Sequence, residues 1–446
     1  MKQHHFSYRT ALALLVVSLS MVVPCLAAPM ELSLQDSIKL SLQNNAKLKI
    51  ATQSKEKSLW TIKQAQSYKN FDLSYNLTGV RGDTPASWYA PYSSTTGKFN
   101  YDNLSIYNNY ANQLKLVLPV YTGGKVESLI EQAKSGSKVA DFNIVAVKQQ
   151  LTLETTVAYY HVLQARNMLA IAKQTVDDLA QHLINVQSHY DAGTVALPDL
   201  LQTKVRLANS QDDLIKAQNA YELSMYALNN VMGLPLKNQI KAIDEFVYTP
   251  YPVSLDDLIA HAVGQRPELS AAALNVSINE QQITVAKSDN LPTISLFGTQ
   301  TWNSERSNSA VGNYNEKDWM VGANLTLDLF DGGRTKSQIK QAETGVNIAR
   351  EQLQKAKDDI SLEVSSYYLS MKEAEKRLET NQVAVNEART NLALTKQRYE
   401  AGIGTNLDVI DAELALDRSQ TIHVQALYDY NTSKAQLQRA IGADNN

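Results

Sequence analysis

Cysteine is almost missing from this 446-residue chain: Cys25 stands alone. No intrachain disulfide framework and no cysteine-based zinc or iron–sulfur site can be built from it. Phenylalanine (7), proline (11) and glycine (18) are also scarce, and the low Pro and Gly content excludes a disordered or collagenous chain. No run of about 18 apolar residues occurs, so no helix of this chain is expected to span a bilayer. A basic excess is lacking too: 42 Lys and Arg face 45 Asp and Glu, and a net charge of −3 argues against nucleic acid as a partner. Catalytic patterns are missing as well. Beyond the first 27 residues the histidines are His161, His182, His189, His261 and His423, with no i, i+4 pair and no metal motif. His182 and His189 share a helix face and read as solvated. No glycine loop followed by Lys-Ser/Thr is present to cradle a phosphate. The expectation is a protein that is not an enzyme, with no cofactor and no metal.

What the chain does have is 44% hydrophobic residues, 20% charged residues and 22 tyrosines against the 7 phenylalanines. Its mean hydropathy is −0.29. Tyrosine suits places that are half wet and half apolar. The N-terminus has the three-part plan of an export signal. Lys2 and Arg9 come first, Ala11 to Val23 is apolar, and Pro24-Cys25-Leu26-Ala27 offers small residues for cleavage after Ala27. Its apolar core is too short for a membrane anchor. Removing residues 1–27 leaves 40 basic and 45 acidic residues, hence −5, and takes away the only cysteine. A lipidated Cys25 is the alternative, and Pro24 directly before it fits that poorly.

The remaining chain is written twice. With Gly123-Gly124 laid over Gly332-Gly333, an offset of 209, Gln132-Ala133 meets Gln341-Ala342 and Leu153-Glu154 meets Leu362-Glu363. Tyr159 then meets Tyr368, Tyr190 meets Tyr399, Asp199 meets Asp408 and Tyr221 meets Tyr430, all without a gap. The opening of each half aligns at offset 221, so the first half carries 12 extra residues (221 − 209) between about Phe71 and Gly123. The implied organisation is a signal at 1–27, a first repeat at 28–233, a linker at 234–253 and a second repeat at 254–446.

Each repeat opens on Ser-x-x-Asp, Ser33…Asp36 and Ser254…Asp257, which resembles a capping box. A helical stretch of roughly 35 residues follows, to about Tyr68 or Asp289. Period-2 segments come next. Leu73, Tyr75 and Leu77, and then Leu114, Leu116, Leu118 and Val120, alternate with more polar neighbours. In the second half Ile294 and Leu296, and then Val321, Ala323, Leu325, Leu327 and Leu329, do the same. Strands are expected at about 71–82, 110–121, 292–302 and 318–330, each near the length of a tilted membrane-spanning strand. The strand-to-helix turns are Gly123-Gly124 and Gly332-Gly333. Proline-free helices follow at 125–190 and 334–399, about 100 Å each at about 1.5 Å per residue. Gly136 and Gly345 inside them read as close helix crossings. Ala192-Gly193 and Ala401-Gly402 end these helices, and a second helix of about 35 residues closes each repeat. Such lengths and polarity fit coiled-coil packing rather than a globular core.

Four strands cannot close a barrel, and open strand edges in lipid cost several kcal/mol per unpaired group. Several copies must share the barrel, and three would supply twelve strands. Tyr68, Tyr75, Tyr89, Tyr92, Tyr101, Tyr107, Tyr110 and Tyr121, with Trp88, crowd the one stretch 68–121. Trp302, Tyr314 and Trp319 occupy the matching part of the second half, as an aromatic girdle would. Residues 81–109 between the first two strands read as a long polar external loop.

At this point the sequence resembles the TolC/OprM family of outer-membrane efflux proteins. The likeness covers about 31–442. It rests on the duplicated plan and on Leu-Phe-Asp-Gly-Gly-Arg at 329–334, Tyr-Glu-Ala-Gly at 399–402 and Leu-Asp-Val-Ile-Asp-Ala at 407–412. The resemblance implies a mainly helical TolC-like fold, a homotrimer with a shared twelve-stranded barrel in outer-membrane lipid, and a helical tube through the periplasm. The linker would form a band around that tube. The implied function is an exit duct of an efflux or type I secretion system, served by a periplasmic adaptor and an inner-membrane pump of the RND or ABC type. It further implies that Asp408 and Asp411 line the closed end of the pore and that Tyr399 helps to hold it shut. The tyrosine's usual basic partner falls on Gly404. The turns Gly193-Thr194-Val195 and Gly402-Ile403-Gly404 match adaptor-docking positions. Two plainer readings stand beside these. Thr405…Asp408 is also a capping box, and the glycines are also helix caps. A periplasmic coiled-coil adaptor or scaffold without a barrel is the competing function, and the nine-residue alternation from Val321 to Leu329 argues against it.

Overall fold

The computed structural model describes residues 30–84, 92–93, 98–99, 105–307 and 314–443, with side chains at 30–81, 110–304 and 317–443. The export segment with Cys25, most of the polar loop, and Trp88, Tyr89 and Tyr101 lie outside the described residues. The side chains of Tyr92, Tyr107 and Tyr314 lie outside them as well.

The helices come in pairs of equal length. They are α1 (Leu34–Asn44) and α5 (Leu255–Gln265), α2 (Ala46–Ser67) and α6 (Pro267–Ser288), α3 (Lys125–Asp191) and α7 (Arg334–Glu400), and α4 (Leu197–Val231) and α8 (Asn406–Ala440). Glycines at positive φ repeat the pairing at an offset of 209: Gly123 and Gly332, Gly124 and Gly333, Gly193 and Gly402, Gly233 and Gly442.

The first helical stretch of each repeat is broken in two, where the sequence pattern suggests one helix. In the first half Asn45 adopts extended backbone (φ −64, ψ 135), and its side chain accepts from Lys47 N and restarts the helix as α2. In the second half Pro267 clashes with a helical predecessor, so Arg266 turns extended (φ −67, ψ 122) and α6 begins at the proline. The Ser33…Asp36 box forms, with Ser33 N donating to Asp36 Oδ2 and Asp36 N donating to Ser33 Oγ. The Ser254 side chain, in contrast, makes no capping bond.

The chain divides into two compact units. One contains the described residues up to 43, 155–247 and 378–428. In it β1 (Met30–Leu32) pairs in parallel with β6 (Ile240–Ala242). These strands pack on a core of Tyr159, Val162, Leu163, Leu228 and Met232. The buried Tyr159 hydroxyl donates to Leu32 O at 2.9 Å, and Arg166 donates to Ala242 O and Asp244 O, so the linker backbone is satisfied from α3. A smaller core of Val186, Leu200, Tyr399 and Val409 lies where the long helices turn.

The other unit contains 44–154, 248–377 and the residues from 429 onward. Its helical core gathers Leu258, Leu269, Val364, Met371, Tyr430 and Leu437. Arg266, 4% exposed, donates to Glu268, Glu363 and Ala440 O, and Arg439 pairs with the same two glutamates, so this buried cation is compensated on all sides. Gly345 meets Asn279 Oδ1 as a close crossing requires, whereas Gly136 faces open space, so the expectation of a tight crossing fails there.

This unit also carries a four-stranded antiparallel sheet in the order β2-β5-β7-β8. The strands are β2 (Asp72–Thr84), β5 (Ser105–Tyr121), β7 (Thr293–Ser307) and β8 (Tyr314–Thr326). Two short segments, β3 (Tyr92–Ser93) and β4 (Lys98–Phe99), pair with each other between β2 and β5. The sequence pattern carries the last strand on to 330, but β8 stops at Thr326. Its partner β7 begins at Thr293, opposite Thr326, just after Pro292, which has no N–H to extend the ladder. Leu327 to Phe330 instead lead into the turn where Asp331 accepts from Gly333 N and Thr335 N. Pro119 likewise marks the register shift between β5 and β7.

Residues directly opposite in an antiparallel sheet share a face. Leu73, Leu116, Gly298 and Val321 form one row across the sheet, and Tyr75, Leu114, Gln300 and Trp319 form the next. The opposite face reads Ser74, Lys115, Thr299 and Met320, then Asn76, Gln113, Thr301 and Asp318. One face is therefore mainly apolar and the other mainly polar. The apolar face is uncovered: Val321 is 70% and Trp319 is 73% exposed. Among the described residues β2 and β8 each have one neighbour, so both edges of the sheet are open there.

Candidate functional site at the turns of the long helices

The sites singled out in the sequence fall at the two ends of the long helices. At one end Gly123-Gly124 and Gly332-Gly333 join strand to helix, all with φ between 63° and 87°. A side chain at Gly123 would press on Leu291 Cβ and Ser288 O, each 3.0 Å from its Cβ position, so this turn needs glycine for space as well as for conformation.

At the other end α3 and α7 stop with the same six-to-one bond. Thr194 N donates to His189 O at 2.9 Å, and Ile403 N donates to Arg398 O at 3.0 Å, around the left-handed Gly193 and Gly402. Val195 packs partly against the Val186, Leu200, Tyr399 and Val409 core, while Ile403 is exposed. The next helices start differently. Thr405 and Asp408 complete a capping box: Thr405 N donates to Asp408 Oδ2 at 2.9 Å and Asp408 N donates to Thr405 Oγ1 at 3.1 Å. In the first repeat Ala196 stands in the place of Thr405 and cannot cap, so α4 relies on Pro198 in its first turn.

Asp408 and Asp411 share a cleft of about 360 Å³ with Asn391, Thr395, Arg398, Gly404 and Ala412. The backbone hydrogen bond from Thr405, then the Thr405 hydroxyl and nearby Arg398, hold the Asp408 carboxyl below the ordinary carboxylate range. Arg398 is the residue that sequence reasoning missed. Position 404 cannot carry the basic side chain expected there without a backbone shift, because a Cβ would lie 3.0 Å from Tyr399 N and 3.2 Å from Arg398 C. The cation in the cleft comes from Arg398, in the last turn of α7. The preference of helix C-termini for positive charge was the signal that pointed to it.

Tyr399 does not join the two aspartates. It is 7% exposed and packs in the apolar core of this turn. His182 and His189, two turns apart on α3, stand edge-on to its ring at centroid distances of 5.3 and 5.6 Å. The Tyr399 hydroxyl is buried without a hydrogen-bond partner among the described residues, and burial, with Asp199 nearby, pushes its pKa up. The reading of His182 as solvated is corrected here: it is 4% exposed. Its Nε2 lies 2.9 Å from Asn406 Oδ1, while Asn406 Nδ2 donates to Asp199 O. A buried carboxylate also went unnoticed. Glu413 lies with Lys396 Nζ 3.2 Å from its Oε1, and burial raises its pKa while Lys396 opposes the rise.

Among the described residues no group of three or more metal-ligating side chains is found, and no helix is long and apolar enough to cross a membrane. A sheet with an apolar uncovered face and open edges, carried on a duplicated set of long helices, defines a subunit of an outer-membrane β-barrel channel. Comparison with known proteins makes this specific. The profile "Outer membrane efflux protein" matches residues 37–234 and again 258–443, and the chain belongs to that family. Outer membrane protein TolC of Vibrio cholerae is 26% identical over 317 residues, 70% of this chain and 72% of that protein. Alkaline protease secretion protein AprF of Pseudomonas aeruginosa is 24% identical over 362 residues, 79% of this chain and 73% of that protein. The crystal structure of outer membrane protein VceC from Vibrio cholerae superposes with a TM-score of 0.73 at 20% identity, covering 92% of this chain and 96% of that one. The fold is that of the TolC-like outer-membrane channels, and the protein is an outer-membrane exit duct.

Proposed function

We propose that three copies of the chain close one twelve-stranded barrel and pass substrates outward from an inner-membrane pump of the RND or ABC type, through a periplasmic adaptor. The open sheet carries this reading. Thirteen-residue edge strands such as β2 and β8 are about 43 Å long at about 3.3 Å per residue, and tilted by about 45° they rise about 30 Å, the thickness of a bilayer core. Only another copy supplies edges of matching length and pattern. Residues 1–27 direct export and are removed, and the linker at 234–253 forms a band outside the helices.

In this reading the turns of the long helices are the periplasmic mouth. Asp408 and Asp411, repeated by symmetry, make two acidic rings at the constriction, with Arg398 tempering their field. Tyr399 holds the mouth shut by packing. Gly193-Thr194-Val195 and Gly402-Ile403-Gly404 are the adaptor's docking points, supported by the exposure of Ile403 at the apex of its turn. Purified protein in a planar bilayer is expected to conduct, and Asp408→Ala with Asp411→Ala to weaken block by divalent cations about tenfold. Absence of channels would contradict the duct; unchanged block would contradict the placing of the aspartates at the pore.

A further inference from the structure

The least expected group in the molecule is the imidazole of His182. It lies on α3, 4% exposed, with Nε2 2.9 Å from Asn406 Oδ1 at the start of α8. The Asn406 amide is oriented by its own donation to Asp199 O, so its oxygen faces the ring and the imidazole nitrogen carries the hydrogen. Thr203 Oγ1 on α4 approaches the same oxygen at 3.1 Å. The ring edge of Tyr399 on α7 closes the other side at 5.3 Å. Residues of four helices therefore converge around this imidazole, and among the described residues no carboxylate is hydrogen-bonded to it to favour a second proton.

The charges around it point the same way. From α7 comes the Lys396 ammonium, which disfavours an imidazolium. Lys396 is itself drawn toward Asp178 on α3 at 3.9 Å and Glu413 on α8 at 3.2 Å, and Arg206 on α4 also acts on Glu413. His189, the remaining imidazole on α3, lies beyond Tyr399 and bonds to Thr194 Oγ1 at 3.2 Å through Nδ1. In the second repeat the residue matching His182 is Asn391, and the one matching Thr203 is Ala412, so the arrangement exists once per chain.

We propose that His182 is an acid-release latch: protonation of its imidazole favours an arrangement in which α3 parts from Tyr399 and the start of α8. The inference rests on the reading of this turn as the mouth of the duct. Burial, opposed by the Asn406 bond and aided by Lys396, lowers the pKa of His182 from its ordinary value of 6.5. The sign follows from linkage. The packed turn binds the proton less well than a parted one, so the latch is at full strength above pH about 6.5 and weakens as the pH falls below it. Glu413 works in the opposite sense, since its raised pKa lets the packed state take up a proton first.

Amide exchange of the full-length protein in detergent, corrected for intrinsic pH dependence, tests the latch at residues 178–206 and 395–413. Between pH 7.5 and 5.5 wild-type protection there is expected to fall about fivefold relative to His182→Gln, which keeps a donor for Asn406 without a titrating group. Glu413→Gln is expected to enlarge the wild-type response. Asn406→Asp, which sets a carboxylate against the ring, is expected to abolish or reverse it, and serves where the glutamine variant does not fold. The same pH response in wild type and His182→Gln, or an undiminished response in Asn406→Asp, would overturn the proposal. An acid-loosened turn in a protein whose bilayer current does not follow pH would leave the latch standing and refute the mouth assignment instead.

Discussion

Tyr399 and Asp408 lie nine residues apart around one turn yet meet opposite environments. The aspartate completes a capping box at the rim of a polar cleft, so its position is satisfied by local bonding before any pore is considered. The tyrosine is buried, and its hydroxyl has no hydrogen-bond partner among the described residues. Removing that hydroxyl is therefore expected to leave the turn intact: Tyr399→Phe should change stability by less than about 1 kcal/mol, whereas Tyr399→Ala should cost about 3–5 kcal/mol through the cavity it leaves. Chemical denaturation of the two variants checks this. A large loss in Tyr399→Phe would mean that the hydroxyl is bonded outside its own chain. Glycines, capping residues and the acidic pair were legible from the sequence, because each follows from local backbone chemistry. The burial of His182 and the place of Arg398 in the cleft were not. Both depend on which residues a neighbouring helix brings alongside, and an i, i+7 pair of histidines on a polar helix looks the same whether wet or dry.

At the scale of the element, the strands were legible through their alternation, and the register shows what alternation alone does not. The apolar positions of all four strands fall mainly on one face of the sheet. Val321 and Met320 are neighbours in β8 but belong to opposite faces, Val321 in the row of Leu73 and Leu116, Met320 in the row of Ser74 and Lys115. Val321→Arg is expected to cost about 2–4 kcal/mol in folding into a bilayer, and Met320→Arg about 0–1 kcal/mol. Folding titrations into lipid vesicles would read the difference, and equal costs would contradict the assignment of the faces. The ends of elements were less legible. The break at Arg266 follows from Pro267, while the one at Asn45 depends on a cap that only the folded backbone reveals. β8 ends where Pro292 leaves its partner without a donor, four residues before the apolar pattern runs out.

At the scale of the whole molecule, the duplication sets the plan. Helices of 11, 22, 67 and 35 residues recur in the same order, and the family profile matches each half separately. Duplication yields one four-stranded sheet among the described residues, with two open edges and an uncovered apolar face. In water that face invites aggregation; in lipid the edges are costly; closure by further copies removes both penalties. Residues 28–446 contain no cysteine, so no disulfide within that span can link copies, and strand pairing and helix packing are what the sequence offers for assembly. The number of chains in a membrane-like environment therefore decides between a shared barrel and a lone subunit. Native mass measurement of the detergent-solubilised protein gives that number. A single species containing three chains that loses solubility when detergent is withdrawn is expected, and a monodisperse water-soluble monomer would contradict the shared barrel.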